Sequence, residues 1–298
     1  MITIPEILEE QIDKAEVLVE ALPYMQAFRG KTILIKVGGS AMEDKELVEG
    51  LLRDIVFMEA VGINPVVVHG GGKAISAAMK SSGQEARFIG GLRVTDEASI
   101  GIVEETLWKV VNPELVGMLK KFGGKAIGIS GREVFLGERM TGVDEETGAS
   151  VDIGFVGRVA DVDVEKVLAF VAYDTVPIVT PLASERTTGH ALNVNADLAA
   201  SALASKLKAA KLVYLSDVLG VLRDRNDPGS LIHSIARSEI EGLISDGVIS
   251  GGMIPKVRSA ADALEAGVGK VHMIDGRIPH SLLLEVFTNV GIGTEITP

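Results

Sequence analysis

Hydrophobic and polar positions along this chain follow two alternating rhythms. Thr3-Ile4-Pro5-Glu6 reads as a capping box, with apolar residues following at Ile7, Leu8, Ile12, Ala15, Val19 and Leu22. That spacing predicts an amphipathic helix to about Leu22, which Pro23 stops or kinks. Apolar runs at 32–37, 65–69, 126–130, 176–180, 211–216 and 268–275 predict buried strands. Helical spacing predicts helices over about 44–60, from 73 onward, and over 96–122, 163–172, 196–209 and 254–266. Segment 131–160 alternates more weakly and is rich in glycine, which predicts hairpins. Strands alternating with helices imply right-handed crossovers and an open, mainly parallel sheet sandwiched between helices, an α/β fold. The 298 residues suit two lobes or one large α/β unit, with a hinge expected near 180–186.

Composition narrows the function. Hydrophobic residues make up 47% and aromatics only 4%, with 34 glycines, a balance that suits buried parallel strands. Lys and Arg total 29 against 41 Asp and Glu, a net charge of −12, which argues against nucleic acid as a partner. The absence of Cys excludes disulfides, thiolate nucleophiles, iron–sulfur clusters and Cys-type zinc sites, and suits a reducing cytoplasm. The longest charge-free run, 60–72, is shorter than the ~18 apolar residues of a membrane span. Residues 1–28 lack the basic start and apolar core of a signal peptide, so a soluble protein with no membrane partner is expected.

Familiar nucleotide motifs fail. Gly30-Lys31-Thr32 resembles the end of a P-loop, but Met25 stands where its first glycine belongs, and a strand follows. No Gly-x-Gly-x-x-Gly opens a helix, and no Gly-x-Ser-x-Gly elbow occurs. His69, His190, His233, His272 and His280 lack metal-ligand spacing and read individually as structural, so no protein metal site is expected. What remains is a set of glycine turns at strand carboxyl ends, where open α/β sheets bind ligands. Lys36-Val37-Gly38-Gly39-Ser40 and His69-Gly70-Gly71-Gly72 each fit either a plain βα corner or a phosphate cradle. Lys36 interrupts an apolar strand, and a buried ammonium needs an anionic partner. Lys256 sits at a helix start, where the dipole disfavours a cation without an anion nearby. Asn193-Val194-Asn195-Ala196-Asp197 and Ser216-Asp217-Val218-Leu219-Gly220 read as a helix cap and a turn, or as ligand groups. In Gly90-Gly91-Leu92-Arg93, Arg93 is either a solvated hairpin residue or a fork for a carboxylate.

Taken in order, KVGGS, HGGG, GLRVT, NVNAD, LSDVLGVL and GGMIPK resemble the amino acid kinase family, over essentially the whole chain from Arg29. Within it they resemble the branch that phosphorylates N-acetyl-L-glutamate on its side-chain carboxylate, using ATP with Mg2+ held mainly by the nucleotide phosphates. The resemblance implies Lys36 and Lys256 as the catalytic cations and Asp197 as the carboxylate that orients them. It places Gly71, Gly72, Arg93 and Asn193 at the acceptor, and Gly39, Asp217, Gly220, Ser250 and Met253 at the nucleotide. It implies three parts: an oligomerisation helix over 1–28, an acceptor-binding and dimerisation lobe over 29–183, and an ATP lobe with an effector site over 184–298. Ala21-Leu22-Pro23-Tyr24, the run 272–277 and the run 284–294 resemble the arginine-inhibited members, which are hexamers. Tyr24, His272, Glu285 and Gly291 are therefore the effector candidates for L-arginine. In some members a PII signalling protein also binds. The chain departs from its relatives at Val37, Ser40 and Lys73-Ala74; Lys73 either adds an anion contact or points into solvent. Rival readings are another small-molecule kinase of the family, or a catalytically silent arginine sensor, from which loss of the two lysines would be expected.

Overall fold

The computed structural model describes residues 6–42, 44–144, 147–288 and 291–298. Of the expected capping box, Thr3, Ile4 and Pro5 lie outside the described residues. The eight-stranded central sheet runs in the order Ser234–Ala236, Thr294–Thr297, Lys270–Asp275, Lys211–Ser216, Thr32–Val37, Asn64–His69, Val176–Val179, Ala126–Ile129. Its six consecutive strands from Lys270–Asp275 onward are parallel, and Thr294–Thr297 pairs antiparallel with Lys270–Asp275.

The period-2 alternation of a strand gives this sheet two apolar faces. Leu34, Val66, Val68 and Leu212 point into one core, shared with the helices Ala196–Leu207 and Met253–Glu265. Ile33, Ile35, Val67 and Val213 point into the other, shared with Lys45–Ala60, Asn112–Lys121 and Ser281–Phe287. Such two-sided burial is why the strands read as unbroken apolar runs. A closed four-stranded barrel formed by Phe135–Val143, Ser150–Val162, Leu182–Glu185 and Ala191–Val194 sits beside the sheet. The stretch 180–186 thus carries a barrel strand, paired on both sides.

Two expected boundaries differ. The first helix spans Glu6–Phe28 and continues through Pro23. Proline removes the bond to the Val19 carbonyl, but Val19 is exposed and water can take that acceptor. The single helix expected over 96–122 is interrupted by a π-helical turn at Thr106–Val111. Pro113 cannot donate an N–H, and just before it the ladder shifts so that the Asn112 N–H reaches the Leu107 carbonyl. No described helix is long and apolar enough to cross a membrane.

Candidate active site

At the carboxyl end of the central strands, Lys36 is buried in register with Val68 on one side and Tyr214 on the other. Asp197 occupies the first turn of helix Ala196–Leu207, whose start is capped by the Asn195 side chain accepting N–H bonds from Asp197 (2.8 Å) and Leu198 (3.2 Å). Lys256 lies in the first turn of helix Met253–Glu265. The Lys36 ammonium lies 2.8 Å from Asp197 Oδ1, and the Lys256 ammonium donates to Asp197 Oδ2 at 2.5 Å. One carboxylate therefore joins two lysines that are 220 residues apart in sequence. Burial works against the Asp197 charge, yet the lysines hold its pKa below the usual carboxylate range. Burial lowers the Lys36 pKa, with Lys256 adding to that and Asp197 opposing it.

Lys36 opens into a cavity of about 240 Å³ that also takes Gly39, Gly71, Gly72, Arg93 and Asn193. A Cβ on Gly38 would fall 2.6 Å from the Lys36 Nζ and push that ammonium aside. Gly71 has the same kind of constraint, its Cβ position being 2.5 Å from Leu107 Cδ2. The Arg93 guanidinium is buried over the Phe88 ring and donates to the Gly72 carbonyl and the Ser76 hydroxyl, both at 2.8 Å. Among the described residues no carboxylate pairs with it; its oxygen partners are the neutral Gly72 carbonyl and Ser76 hydroxyl. The Asn193 amide donates to Thr95 Oγ1 at 3.1 Å, and that hydroxyl donates to the Arg93 carbonyl at 2.9 Å. Ser76 and Thr95 were not legible as site residues, because an isolated hydroxyl carries no pattern in sequence.

Behind the triple glycine, fully buried His69 donates from Nδ1 to the Gly70 carbonyl at 2.7 Å. Its Nε2 accepts from the Asn112 amide at 3.1 Å, and that amide also donates to the Ile178 carbonyl at 2.8 Å. Burial lowers the His69 pKa to about 4, so the ring is neutral and structural.

A second cavity, of about 490 Å³, is lined by Asp217, Gly220, Val221, Ser250, Met253 and Lys256. Gly39, expected among the nucleotide residues, borders the first cavity instead, beside Gly71 and Gly72. A third cavity, about 820 Å³, brings together Tyr24, His272, Glu285 and Gly291 near the amino ends of strands Lys211–Ser216 and Lys270–Asp275, with Lys211 and Glu295. There the His272 Nδ1 donates to Glu285 Oε1 at 2.5 Å. Burial lowers the His272 pKa, and although burial opposes it, the bonds from His272 and the Ile292 N–H keep Glu285 ionised. Lys73 borders an adjoining space of about 430 Å³ with Ser76 and Glu114. Among the described residues no group of three or more His, Asp or Glu side chains could hold a metal.

The sequence profile described as the amino acid kinase family matches residues 31–275. An acetylglutamate kinase from Akkermansia muciniphila is 58% identical over 285 residues, covering 96% of each chain. One from Heliobacterium modesticaldum is 48% identical, covering 96% of this chain and 98% of its own. Among solved structures, an N-acetylglutamate synthase from Neisseria gonorrhoeae, complexed with coenzyme A and N-acetyl-glutamate, superposes with a TM-score of 0.81 at 27% identity. That match covers 95% of this chain and 63% of the synthase.

Proposed function

The chain belongs to the amino acid kinase family, and from that premise we propose that it transfers the γ-phosphoryl group of ATP to the side-chain carboxylate of N-acetyl-L-glutamate. The observation that carries this reading is the single carboxylate, Asp197, bonded to a lysine from each of two adjoining cavities. A kinase needs cations where the phosphoryl group passes between nucleotide and acceptor, and Lys36 and Lys256 stand at that boundary. A carboxylate oxygen of the acceptor bonds to the γ-phosphorus as the bond to the β-phosphate oxygen breaks, leaving ADP and an acyl phosphate. The attacking carboxylate is already ionised near neutral pH, so no general base is required. Catalysis then rests on alignment and on neutralising charge as it shifts.

Arg93, buried without a carboxylate partner, is the fork for a carboxylate of the acceptor, and Asn193 stands beside it. Gly71 and Gly72 offer backbone N–H groups to the acceptor and the moving phosphoryl group, at the start of helix Gly72–Ser81. Asp217, Gly220, Ser250 and Met253 line the nucleotide's cavity, with Gly39 reaching the phosphates from the other side. Magnesium would neutralise phosphate charge, and because both oxygens of Asp197 are engaged by lysines, it would be held chiefly by the nucleotide phosphates.

In the same reading residues 29–183 supply the acceptor half and 184–298 the nucleotide half, in the cytoplasm. The third cavity is an L-arginine site that feeds back on the reaction, with Glu285 suited to a guanidinium. Leu8, Ile12, Val17, Leu18, Val19 and Leu22 leave apolar surface exposed along the first helix, which supports assembly through that helix into a hexamer. The deciding experiment measures ADP formation from MgATP with N-acetyl-L-glutamate, with glutamate and aspartate as controls and hydroxylamine to trap the acyl phosphate. Activity confined to the acetylated substrate and lost in Lys36→Ala establishes the reading. Tight arginine binding with no activity on any acceptor would instead leave a sensor.

A further inference from the structure

Two of the three cavities are joined by a short, fully described piece of main chain. Glu285 lines the largest cavity, and its Oε2 accepts N–H bonds from Ile292 (2.8 Å) and Gly293 (3.3 Å). The next residue, Thr294, begins the strand Thr294–Thr297 and is completely buried. Its hydroxyl accepts the Val221 N–H at 2.8 Å and donates to the Ile232 carbonyl at 2.7 Å. Val221 and Ile232 are the two ends of the excursion whose Val221, Leu222 and Arg225 form one wall of the nucleotide cavity. They are also bonded to each other, Ile232 N–H to Val221 carbonyl at 2.9 Å. One hydroxyl thus staples both limbs of that wall.

The fit at Gly220 is equally tight. Its φ of +148° is one that side chains rarely adopt, and a Cβ would fall 2.5 Å from Thr294 Oγ1 and 3.0 Å from Thr294 N. The close approach at Gly220 and the Val221 N–H bond couple the position of residues 220–221 to that of Thr294. On the other flank, a Cβ on Gly293 would fall 2.1 Å from the Met273 carbonyl, so the strap is wedged against strand Lys270–Asp275, which carries His272. A ligand that competes for Glu285 Oε2 disturbs the bonds to 292 and 293, one residue from the staple.

We infer that Thr294 is a positioning residue for the nucleotide, and that the strap 291–294 transmits occupancy of the Glu285 cavity to the nucleotide wall. This rests on the assignment of the two cavities made above. Thr294 touches neither ligand; it acts through the main chain of Gly220 and Val221. The cavities are then thermodynamically linked, so each ligand changes the other's affinity by the same factor.

The test uses the full-length enzyme with Thr294→Val, which keeps the shape and removes the hydroxyl, and Thr294→Ser, which restores it. Thr294→Val removes two buried hydrogen bonds and raises KM for MgATP at least about fivefold, the worth of one such bond, and leaves KM for the acceptor at saturating MgATP unchanged. Thr294→Ser returns KM for MgATP to the native value. Calorimetric titration of L-arginine, with and without a non-hydrolysable ATP analogue, gives two dissociation constants in the native enzyme that differ by at least about threefold. In Thr294→Val they coincide. A native KM for MgATP in Thr294→Val, or equal rises in both KM values, overturns the positioning role. Undiminished linkage in Thr294→Val overturns the strap. Absence of arginine binding to the native enzyme overturns the cavity assignment and the strap with it, while the KM comparison still decides the positioning role.

Discussion

His69 gives a prediction whose size follows directly from the structure. The unfolded chain protonates this histidine near its ordinary pKa of 6.5, whereas burial holds the folded group at about 4. Between those values the unfolded state binds the extra proton, so stability falls as pH falls from about 6.5 and the loss is complete below about 4. At about 1.4 kcal/mol per pKa unit the full loss is about 3 kcal/mol, of which about 2.5 kcal/mol has appeared by pH 4.5. Geometry explains why the folded ring resists the proton. A protonated Nε2 would face the Asn112 amide donor, and turning that amide would forfeit its bond to the Ile178 carbonyl. His69→Gln retains an acceptor toward Asn112 and cannot titrate. Urea unfolding followed by the fluorescence of Trp108, the single tryptophan, measures stability at pH 7.5 and 4.5 in both proteins. Carboxylates and the other histidines contribute equally to both, so the difference isolates this ring. The variant is expected to lose about 2.5 kcal/mol less than the native protein over that interval. An identical loss in both would refute the argument.

Three other outcomes follow from the same site. Asp197→Asn leaves Lys36 and Lys256 without their shared anchor and is expected to lower kcat by at least about 100-fold in a coupled ADP assay; a change within about threefold would remove Asp197 from the mechanism. Arg93→Lys exchanges a planar fork for a point charge, so KM for N-acetyl-L-glutamate rises about tenfold with KM for MgATP unchanged, read by steady-state kinetics. Deleting residues 1–24 removes most of the exposed apolar helix surface, and light scattering should then report dimers in place of hexamers, with weaker arginine inhibition; an unchanged hexamer would sink that role.

The sequence announced those features that violate a pattern. Lys36 was visible because it breaks an apolar run, and Lys256 because a cation at a helix start is unfavourable. The central strands were visible because burial on both faces leaves no polar alternation. Thr95, Ser76 and Thr294 were not, since each is a single hydroxyl whose partner is set by tertiary structure; Thr95 meets Asn193 across 98 positions. Short barrel strands such as Leu182–Glu185 and Ala191–Val194 escaped for a similar reason, four residues being too few to show a period. At Pro23 the helix does not stop but runs on to Phe28, where exposure of Val19 lets water take the carbonyl that the proline leaves without a donor.

The charged unit also accounts for an otherwise unusual patch of hydroxyls in the interior beneath it. Tyr214 is the strand neighbour of Lys36. Its hydroxyl lies 3.1 Å from Ser259 Oγ and 3.4 Å from the Asp197 carbonyl, while Ser201 donates to the Ser259 carbonyl at 2.9 Å. Ser201 belongs to the helix that carries Asp197, and Ser259 to the helix that carries Lys256. The helices bearing Asp197 and Lys256 are therefore tied to each other, and to the strand that flanks Lys36, within about one turn of their charges. Burial raises the Tyr214 pKa, which keeps the hydroxyl protonated and able to donate. Apolar packing alone would hold these helices against the sheet but would resist sliding only weakly. Two lysines on flexible stems repel each other, and Asp197 offsets that repulsion only while its position is fixed to within hydrogen-bond tolerance. Directional bonds below the site supply that precision, and this is a reason for polar groups to occupy an interior that aliphatic side chains could fill.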